Sequence, residues 1–474
     1  MRGIVSIGTY LPRLRLSRAA IANALGWLVP GIPAEGHRAL AYWDENSTTM
    51  GVEAARNALR SASVPLSRLA FVTSSPVYAE PQNAATVHRA LRLPASIPSQ
   101  DVSGAGRGAV TALAQQLEGR QAGIVVASDR HAGPAGSAFE TRFADGAAAA
   151  IVGEDDLLFD YLATAELTSA FAHRYRPPGG HASVNWEDRW IREEGILKQV
   201  PVVIRSALQK AGIAPDAVRH LVMPSTTGGI GQAVARAMGL SHASVADNLF
   251  DHCGDIGSGH VLLMLAYAAE TMVPGEIVVV AQFGQGATAL VLKRTNRAVD
   301  RLSTASQQLE KGIVEENYLK LPLLGGTLEW ERGLRGRNIF GEALSTAHRH
   351  EDALLGFTGE RGMADGEVRF PPTGVEEAEP WPLADRGGRL ATLTADQLVF
   401  SPHPPSCYGL VDFEGGGRLM MDVTDPHASA LGVGDPVRFV FRVHDAEPGT
   451  GYVRYFWKAV GADRPDKEAK WPAA

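Results

Sequence analysis

The chain has few cysteines, no long apolar segment and no excess of basic residues, and each absence excludes a class of protein. Its 474 residues include only Cys253 and Cys407, too few for a disulfide framework or for a zinc site built from cysteines. No apolar run reaches a length of about 18 residues, which a membrane-spanning helix needs. The formal net charge is -7, and the sequence has no cluster of basic residues of the kind that nucleic-acid-binding proteins use. Because the N-terminus enters a strand-like segment without a signal-peptide pattern, we expect a cytoplasmic protein with no membrane or nucleic-acid partner.

Strand and helix patterns alternate through residues 1–295, which is typical of a layered α/β domain. A helix-like run, an apolar strand, a glycine-containing turn and a second strand occur at 110–152 and again at 262–291. This repeat predicts a duplicated domain with an internal pseudo-twofold axis. We place its two halves at 1–160 and 161–295.

The character of the sequence changes after residue 295. Residues 296–378 are first charged and helix-patterned and then rich in glycine, proline and glutamate, as expected of a helical extension followed by a linker. Residues 379–474 contain short alternating runs separated by turn residues. These runs lie at 390–394, 408–413, 418–423, 436–442 and 452–458. Five such strands predict a small all-β barrel of the OB type.

Several segments resemble known families. Residues 44–59 are similar to the first helix of the 3-hydroxy-3-methylglutaryl-CoA synthase group in the thiolase superfamily, and residues 253–260 and 283–287 are similar to the closing segment of that superfamily. Residues 404–418 and 455–458 resemble the DUF35 OB-fold that accompanies many such enzymes. The resemblance covers most of the chain. It implies a thiolase-like duplicated α/β domain followed by a C-terminal OB-fold, with an acyl-CoA as substrate.

The residues that carry catalysis in the synthase group are absent from the matching positions. In the thiolase-like fold a cysteine at a buried helix N-terminus takes the acyl group, because the helix end lowers the thiol pKa and holds an oxyanion. Matched motif by motif, this cysteine falls on Gly106, the histidine falls near Val222 and the asparagine falls on Asp255. The zinc ribbon that usually precedes the OB-fold would lie at 357–373, which contains no cysteine. The resemblance therefore implies a Cys-less branch that forms no acyl-enzyme and binds no zinc.

A thiolase-like fold without the cysteine can serve a CoA-thioester aldolase, and this is the function that we expect. Cleavage of a β-hydroxyacyl-CoA requires a base and an oxyanion hole but no nucleophile. Backbone N–H groups near Gly106 and in the turn at Gln285 and Gly286 would form that hole. Coenzyme A would be part of the substrate, with no covalently bound cofactor. Two alternatives stay open: a condensing acyltransferase of the synthase or ketoacyl synthase type, and a non-catalytic acyl-CoA-binding or scaffold subunit.

Three side chains are predicted to carry the proton transfers. Tyr78 follows a strand end and matches the active-site tyrosine loop of the family. Asp255 and His260 flank a glycine turn and the start of a helix, where both could face a pocket. Each residue also has a structural interpretation: Tyr78 as a packing tyrosine, Asp255 as a helix cap and His260 as a hydrogen-bonded histidine within the helix.

Arginine and tryptophan residues are predicted to hold coenzyme A. Arg107 lies in the glycine turn, and Arg176, Trp186 and Arg189 lie in a segment that resembles a loop and helix of the Cys-less branch. The arginines would meet phosphates, and the tryptophan would wall an acyl tunnel. The alternative is an exposed charged helix that packs against a partner subunit. The resemblance implies a homodimer formed through the thiolase-like domain, and an enzyme of the same pathway is a further candidate partner.

A dinucleotide site competes for the glycine turn. Gly104, Gly106 and Ala109 open a helix, and Asp129 ends the next strand, as in a fingerprint for a nicotinamide cofactor. The preceding segment, 93–100, carries two prolines and no buried-strand pattern, so the thiolase-like interpretation is favoured.

The predicted OB-fold lacks the basic patch that binding of single-stranded nucleic acid requires. We therefore expect it to pack within the chain or across a homodimer. In that position it would help to close the acyl-CoA channel, without a metal.

Overall fold

The computed structural model describes residues 2–104, 106–177, 180, 182–240, 243–302, 304–331, 343–374, 377–447 and 449–462. The chain forms two compact units. The first comprises Met1–Ala41, Asn46–His88 and Pro94–Leu328, and the second comprises Tyr42–Glu45, Arg89–Leu93 and Glu329–Ala474. No helix within the described ranges is long and apolar enough to cross a membrane.

The first unit alternates strands and helices along most of its length. Its strands are β1 (Gly3–Tyr10), β2 (Leu14–Ser17), β3 (His37–Leu40), β4 (Leu69–Thr73), β5 (Ser99–Ser103), β6 (Gly123–Asp129), β7 (Gly146–Gly153), β8 (Phe159–Thr168), β9 (Arg174–Tyr175), β10 (Val184–Asn185), β11 (Val218–Val222), β12 (Ser244–Val245), β13 (Ile277–Phe283), β14 (Gly286–Arg294) and β15 (Ile313–Glu315). Its helices are α1 (Arg18–Leu25), α2 (Ser47–Arg60), α3 (Asn83–Ala90), α4 (Gly108–Glu118), α5 (Ala138–Thr141), α6 (Asp188–Trp190), α7 (Leu197–Ala211), α8 (Ile230–Ala237), α9 (Phe250–Cys253), α10 (His260–Ala269), α11 (Ala305–Glu310) and α12 (Lys320–Leu324). A π-helical segment, Ile191–Ile196, joins α6 to α7.

A ten-stranded sheet runs in the order β12-β11-β13-β14-β8-β1-β7-β6-β4-β5. Its two five-stranded halves meet where β1 pairs antiparallel with β8. In one half β4 is parallel to β5 and β6, while β6 and β1 are antiparallel to β7. In the other half β11 is parallel to β12 and β13, while β13 and β8 are antiparallel to β14. The matching order and direction confirm the predicted duplicated α/β architecture.

Helices α4 and α10 occupy equivalent places in the two halves. Helix α4 leads into β6, and helix α10 leads into β13. Both are apolar on nearly every face and share one core cluster with strands β6, β7 and β13. A helix that is apolar all round is stable only when it is buried on all sides. The amphipathic helices α2 and α7 instead cover the faces of β1 with β7 and of β8 with β14.

The segment before the glycine turn differs from the expectation. Residues Ser99–Ser103 form β5, which is parallel to β4, although two prolines precede it. β5 is the edge of the sheet and is mostly exposed, so its sequence carries no buried-strand pattern. The strand that a dinucleotide fingerprint requires is therefore present.

The second unit contains a closed barrel. Its elements are α13 (Leu344–Arg349), α14 (Glu351–Leu354), β16 (Thr358–Gly362), β17 (Val368–Arg369), β18 (Ala378–Pro382), β19 (Gly388–Leu390), β20 (Thr394–Asp396), β21 (Ser406–Phe413), β22 (Arg418–Val423), β23 (Pro436–Ala446) and β24 (Val453–Gly461). The larger sheet runs β19-β23-β24-β22-β21-β20, and β19 also pairs with β21. That extra pairing closes five strands into a barrel and confirms the predicted C-terminal OB-fold.

The first predicted barrel strand, 390–394, is divided into β19 and β20. The amide N–H groups of Ala391 and Thr392 both donate to the Leu410 carbonyl, at 2.8 and 3.3 Å. A Cβ at Gly409 would lie 2.0 Å from the Thr392 carbonyl oxygen, so only glycine permits the chain to cross here. This close crossing interrupts a ladder that side-chain alternation had predicted as continuous.

A small sheet in the order β17-β16-β18 occupies the region of the predicted ribbon. Arg369 forms ion pairs with Asp365 and with Glu367, and the guanidinium of Arg386 lies 3.3 Å from the ring centre of Trp381. Ion pairs and a cation–π contact thus connect its strands and loops. Among the described residues, no group of three His, Cys, Asp or Glu is placed to hold a metal ion.

Candidate active site

The glycine turn before α4 lies where the carboxyl ends of the parallel strands β4, β5 and β6 meet. The Gly104 N–H donates to the Thr73 carbonyl at 2.8 Å. A Cβ at Gly106 would lie 2.5 Å from the Phe283 carbonyl oxygen and 2.9 Å from the Gly284 Cα. These separations are shorter than side chains tolerate. The turn therefore has neither a nucleophile nor room for one at position 106.

Helix α4 begins directly after this turn, at Gly108. Arg107 occupies its N-cap position and makes no side-chain capping hydrogen bond. The first N–H groups of a helix have no partner within the helix, and they form the positive end of its dipole. This end of α4 is suited to stabilising negative charge on a bound thioester oxygen.

A second turn, Gly284 to Gly286, lies against the first. Gly284 donates its N–H to the Gly286 carbonyl at 2.9 Å, and Gln285 has the left-handed φ of 48°. A Cβ at Gly284 would lie 2.7 Å from both the Arg107 nitrogen and the Gly106 Cα. The structure thus places the backbone of Gly106 directly against that of Gly284, which precedes the other two predicted oxyanion residues, Gln285 and Gly286.

Arg107 connects the two turns. Its Nε donates to the Gly284 carbonyl at 3.0 Å, and its other nitrogens donate to the hydroxyls of Thr288 at 3.0 Å and Thr168 at 3.2 Å. The predicted role of Arg107 was a contact with coenzyme A. Its observed donors are instead used to hold β14 and β8 against the start of α4.

Asp129, at the end of β6, organises the surrounding loops. One carboxylate oxygen accepts from the Ser74 amide at 2.6 Å and from the Ser75 amide at 3.1 Å. The other accepts from the amide and the hydroxyl of Ser258, at 2.7 and 2.6 Å. Both oxygens of this fully buried carboxylate are therefore occupied. That arrangement leaves no acceptor for a ribose hydroxyl, and it disfavours the dinucleotide interpretation.

The glycine turn before α10 holds Asp255 and His260 in hydrogen bonds to backbone. Asp255 accepts from the Gly257 amide at 2.8 Å. The Nε2 atom of His260 lies 2.7 Å from the Asn248 carbonyl, and its Nδ1 atom accepts from the Ile256 amide at 3.3 Å. His260 is thus hydrogen-bonded within the fold, whereas Asp255 bonds inside the turn and caps neither the short 3₁₀ helix Gly257–Gly259 nor α10.

The loop after β4 carries Tyr78. Asn83 fixes its backbone in both directions: the Tyr78 N–H donates to Oδ1 at 3.1 Å, and Nδ2 donates to the Tyr78 carbonyl at 3.0 Å. Arg176 donates to the Ser74 carbonyl at 2.5 Å and is exposed. Tyr78 and Arg176 therefore belong to loops that meet at Ser74.

Trp186 and Arg189 lie on the surface. The Trp186 side chain is 52% exposed, and the Arg189 side chain is 82% exposed and pairs with Glu193 at 3.3 Å. The Trp186 amide donates to the His173 carbonyl at 2.9 Å, which ties the two arms of this loop together. The neighbouring Trp190 stacks on Phe171, with ring centres 5.9 Å apart.

His173 was not predicted, although it lies at the centre of the site. Its Nε2 is 3.4 Å from the place that a Cβ at Gly106 would occupy, and its ring packs edge-on against Phe283 at 5.2 Å. Burial and the neighbouring Arg174 lower the pKa of His173 to about 4, so its imidazole is neutral at physiological pH. The sequence signal was the concentration of aromatic and basic residues in 171–176, within an otherwise polar loop.

A cavity of about 220 Å³ borders the loop after β4. Its wall includes the polar residues Ser47, Ser75, His131 and Asp145. Asp145 accepts from the His131 amide at 2.8 Å, which fixes one side of this wall. The cavity is smaller than the roughly 300–1,000 Å³ of typical ligand pockets, so it suits a small group rather than a whole thioester.

Two family models match parts of the chain. Residues 208–293 match the model described as 3-oxoacyl-[acyl-carrier-protein] synthase III C terminal. Residues 381–442 match the model described as ChsH2, C-terminal OB-fold domain. The two matched ranges lie in the first and second structural units, respectively.

Curated relatives and solved structures cover between 60% and 72% of the chain. The hydroxymethylglutaryl-CoA synthase of Methanothermobacter thermautotrophicus is 28% identical over 301 residues, covering 60% of this chain and 86% of that protein. That of Thermoplasma volcanium is 25% identical over 361 residues, covering 69% of this chain and all of that protein.

Among solved structures, 3-oxoacyl-(acyl carrier protein) synthase III of Pseudomonas aeruginosa gives a TM-score of 0.56 at 23% identity, covering 63% of this chain and 99% of its own. A hydroxymethylglutaryl-CoA synthase complexed with CoA gives 0.58 at 16% identity, covering 72% of this chain and 94% of its own.

Proposed function

Because the chain is a fusion of a thiolase-like domain, similar to hydroxymethylglutaryl-CoA synthases and 3-oxoacyl synthase III, with a C-terminal OB-fold, we propose that it acts on a carbon–carbon bond of an acyl-CoA. The specific reaction that we propose is the cleavage of a β-hydroxyacyl-CoA into a carbonyl compound and a shorter acyl-CoA, or the reverse addition. No acyl-enzyme takes part. Coenzyme A is a portion of the substrate.

The observation that carries this proposal is the packing of Gly106. A condensing enzyme of the synthase type needs a nucleophilic side chain at this position to carry the acyl group. Here a Cβ would lie 2.5 Å from the Phe283 carbonyl, so the closed turn accepts a glycine only. Cys253 offers no substitute, because it is fully buried and burial raises its pKa to about 12.

The aldol reaction needs only the groups that remain. A base takes the proton of the β-hydroxyl, the O–H electron pair forms the new carbonyl, and the Cα–Cβ pair moves onto the thioester as an enolate. Protonation of that enolate at Cα releases the shorter acyl-CoA. Backbone N–H groups near Gly106 and in the turn at Gln285 and Gly286 would hold the enolate oxygen, each stabilising the transition state by about 3 kcal/mol. The Gly284 N–H is not among them, because it donates to the Gly286 carbonyl.

The three predicted proton carriers differ in the hydrogen bonds that their side chains already make. Asp255 and His260 make the backbone bonds described above, which favours a structural role for both. Tyr78 stays a predicted catalytic residue, and Asn83 anchors its backbone within the same loop after β4 that Asp129 holds at Ser74 and Ser75.

Assay of a panel of β-hydroxyacyl-CoA thioesters tests the proposal. Mass spectrometry should detect a ketone or aldehyde together with a shortened acyl-CoA, and the reverse mixture should yield the β-hydroxyacyl-CoA. If neither direction exceeds the rate without protein, a non-catalytic acyl-CoA-binding role is preferred. Condensation through an acylated intermediate would support the acyltransferase alternative, which the synthase relatives favour.

A further inference from the structure

His173 lies beside the closed Gly106 turn, in the segment that follows β8. Its carbonyl accepts from the Trp186 amide at 2.9 Å, and its own amide donates to the Phe171 carbonyl at 3.0 Å. The following residue, Arg174, pairs with Asn185 in the β9–β10 ladder. The backbone on both sides of the imidazole is therefore anchored, and its direction toward Gly106 is fixed.

The imidazole itself is held by packing against Phe283 and by a hydrogen bond to the Phe171 backbone. Its Nδ1 is buried, and its Nε2 lies 3.4 Å from the place that a Cβ at Gly106 would occupy, so Nε2 is the nitrogen that faces the Gly106 turn. The Phe283 ring fixes the plane of the imidazole from one side.

The charge environment keeps this imidazole neutral until negative charge develops next to it. Arg174 is the charged group that acts on His173, while the segments of Phe283 and Gly106 present a ring and backbone. An enolate or alkoxide forming beside the ring would favour its protonated form and raise its pKa during the reaction. A neutral histidine of this kind can accept a proton and return it within one turnover.

We propose that His173 is the catalytic acid–base residue of the site, with Nε2 exchanging the proton between the β-hydroxyl oxygen and Cα of the acyl-CoA. Nε2 takes the hydroxyl proton as the Cα–Cβ bond breaks, and it then delivers that proton to Cα of the enolate. Every bond and proton is accounted for, and no further reactant is needed. The assignment rests on the proposed acyl-CoA chemistry, but proton transfer at Cα can be measured separately from cleavage of the carbon–carbon bond.

The half-reaction is the exchange of Cα protons of acetyl-CoA in D2O, followed by NMR or by mass. Here Nε2 removes a Cα proton to form the enolate and returns a deuteron. The His173→Gln variant should exchange about 10²–10⁴-fold more slowly than the wild type, while its Kd for acetyl-CoA stays within about twofold. Wild-type exchange should be constant above about pH 5 and fall as pH drops through about 4, because protonation removes the base.

His348→Gln is the matched control, since His348 is an exposed histidine whose side chain is 81% accessible. His173→Gly with added imidazole provides a second test, because a diffusible base restores exchange only where the missing group transferred a proton. Unchanged exchange in His173→Gln, or no rescue by imidazole together with normal acetyl-CoA binding, would overturn the assignment. Exchange without cleavage of any β-hydroxyacyl-CoA would support His173 and refute the aldolase proposal. Cleavage that is unaffected in His173→Gln would refute the role of His173 and support the aldolase proposal.

Discussion

Gly106 offers the simplest residue-scale test, because its replacement by cysteine would restore the nucleophile type of the synthase group. The Cβ of Gly106→Cys would lie 2.5 Å from the Phe283 carbonyl and force the two turns apart. We expect this variant to lose about 1–3 kcal/mol of unfolding free energy and to gain no condensing activity. Chemical denaturation and an acetoacetyl-CoA condensation assay measure the two effects.

Gly228→Cys is the control for this substitution. A Cβ at Gly228 meets nothing within 4 Å, so its unfolding free energy should change by no more than about 0.5 kcal/mol. A Gly106→Cys protein as stable as the wild type and acetylated by acetyl-CoA would show that the turn has room for a thiol after all.

Acid should destabilise the first unit through two partly buried histidines, His131 and His173, whose pKa values are lowered by desolvation. The folded-state pKa of His173 is about 4 and that of His131 is also lowered by burial, whereas an ordinary histidine titrates near 6.5. Between these two values the unfolded chain binds more protons than the folded chain, so stability falls as pH drops from about 6.5 toward 4 and is flat above. His173→Gln should show a weaker decline of the unfolding temperature over this window, and His348→Gln should show the wild-type decline.

At the scale of structural elements, the glycine turns were predictable and the loop 169–187 was not. Glycines at 104, 106, 284 and 286 mark tight turns by their residue type alone, since each approaches another backbone closely. The contact of His173 with the Gly106 turn depends instead on how a long excursion after β8 folds back. No local periodicity encodes that contact, and the β5 edge strand was missed for the same reason: its exposure is set by its place in the sheet.

Asp129 provides the element-scale prediction. Its carboxylate joins the loop after β4 to the turn before α10 through the amides of Ser74 and Ser258. Asp129→Asn keeps the shape of the side chain but replaces one carboxylate oxygen with an NH2 group. Because that NH2 group is a donor facing N–H and O–H donors, we expect a loss on the order of 3 kcal/mol in unfolding free energy. The exposed Asp155→Asn is the control and should be close to neutral. An Asp129→Asn protein of wild-type stability would show that the carboxylate does not hold these segments.

At the scale of the whole molecule, the duplicated α/β architecture and the barrel followed from sequence because both repeat a simple pattern many times. The sequence did not predict that Tyr42–Glu45 belongs to the second unit, because this segment lies far in sequence from the barrel that it joins. Asp44 is fully buried there, 3.1 Å from the buried Lys458, and accepts from the Thr424 hydroxyl at 2.7 Å.

This buried ion pair yields a prediction for the second unit. Lys458→Met would remove the nearer cation from the buried Asp44 carboxylate and leave the Arg442 guanidinium, whose Nε lies 3.7 Å from Oδ1, so we expect a loss of up to about 3–5 kcal/mol. The double variant Asp44→Asn with Lys458→Met should recover part of that loss, because it removes the buried negative charge that has lost its nearer cation. Denaturation curves of the single and double variants measure the coupling, and additive effects would show that the pair contributes nothing specific.

Intact-protein mass spectrometry during turnover tests the central claim most directly. The protein is mixed with a cleaved β-hydroxyacyl-CoA, and samples quenched within one turnover are examined for protein mass and for CoA products together. We predict that a carbonyl compound and a shortened acyl-CoA accumulate while the protein mass stays unchanged at every time point. An acyl adduct that forms and decays at the rate of product formation would contradict the account.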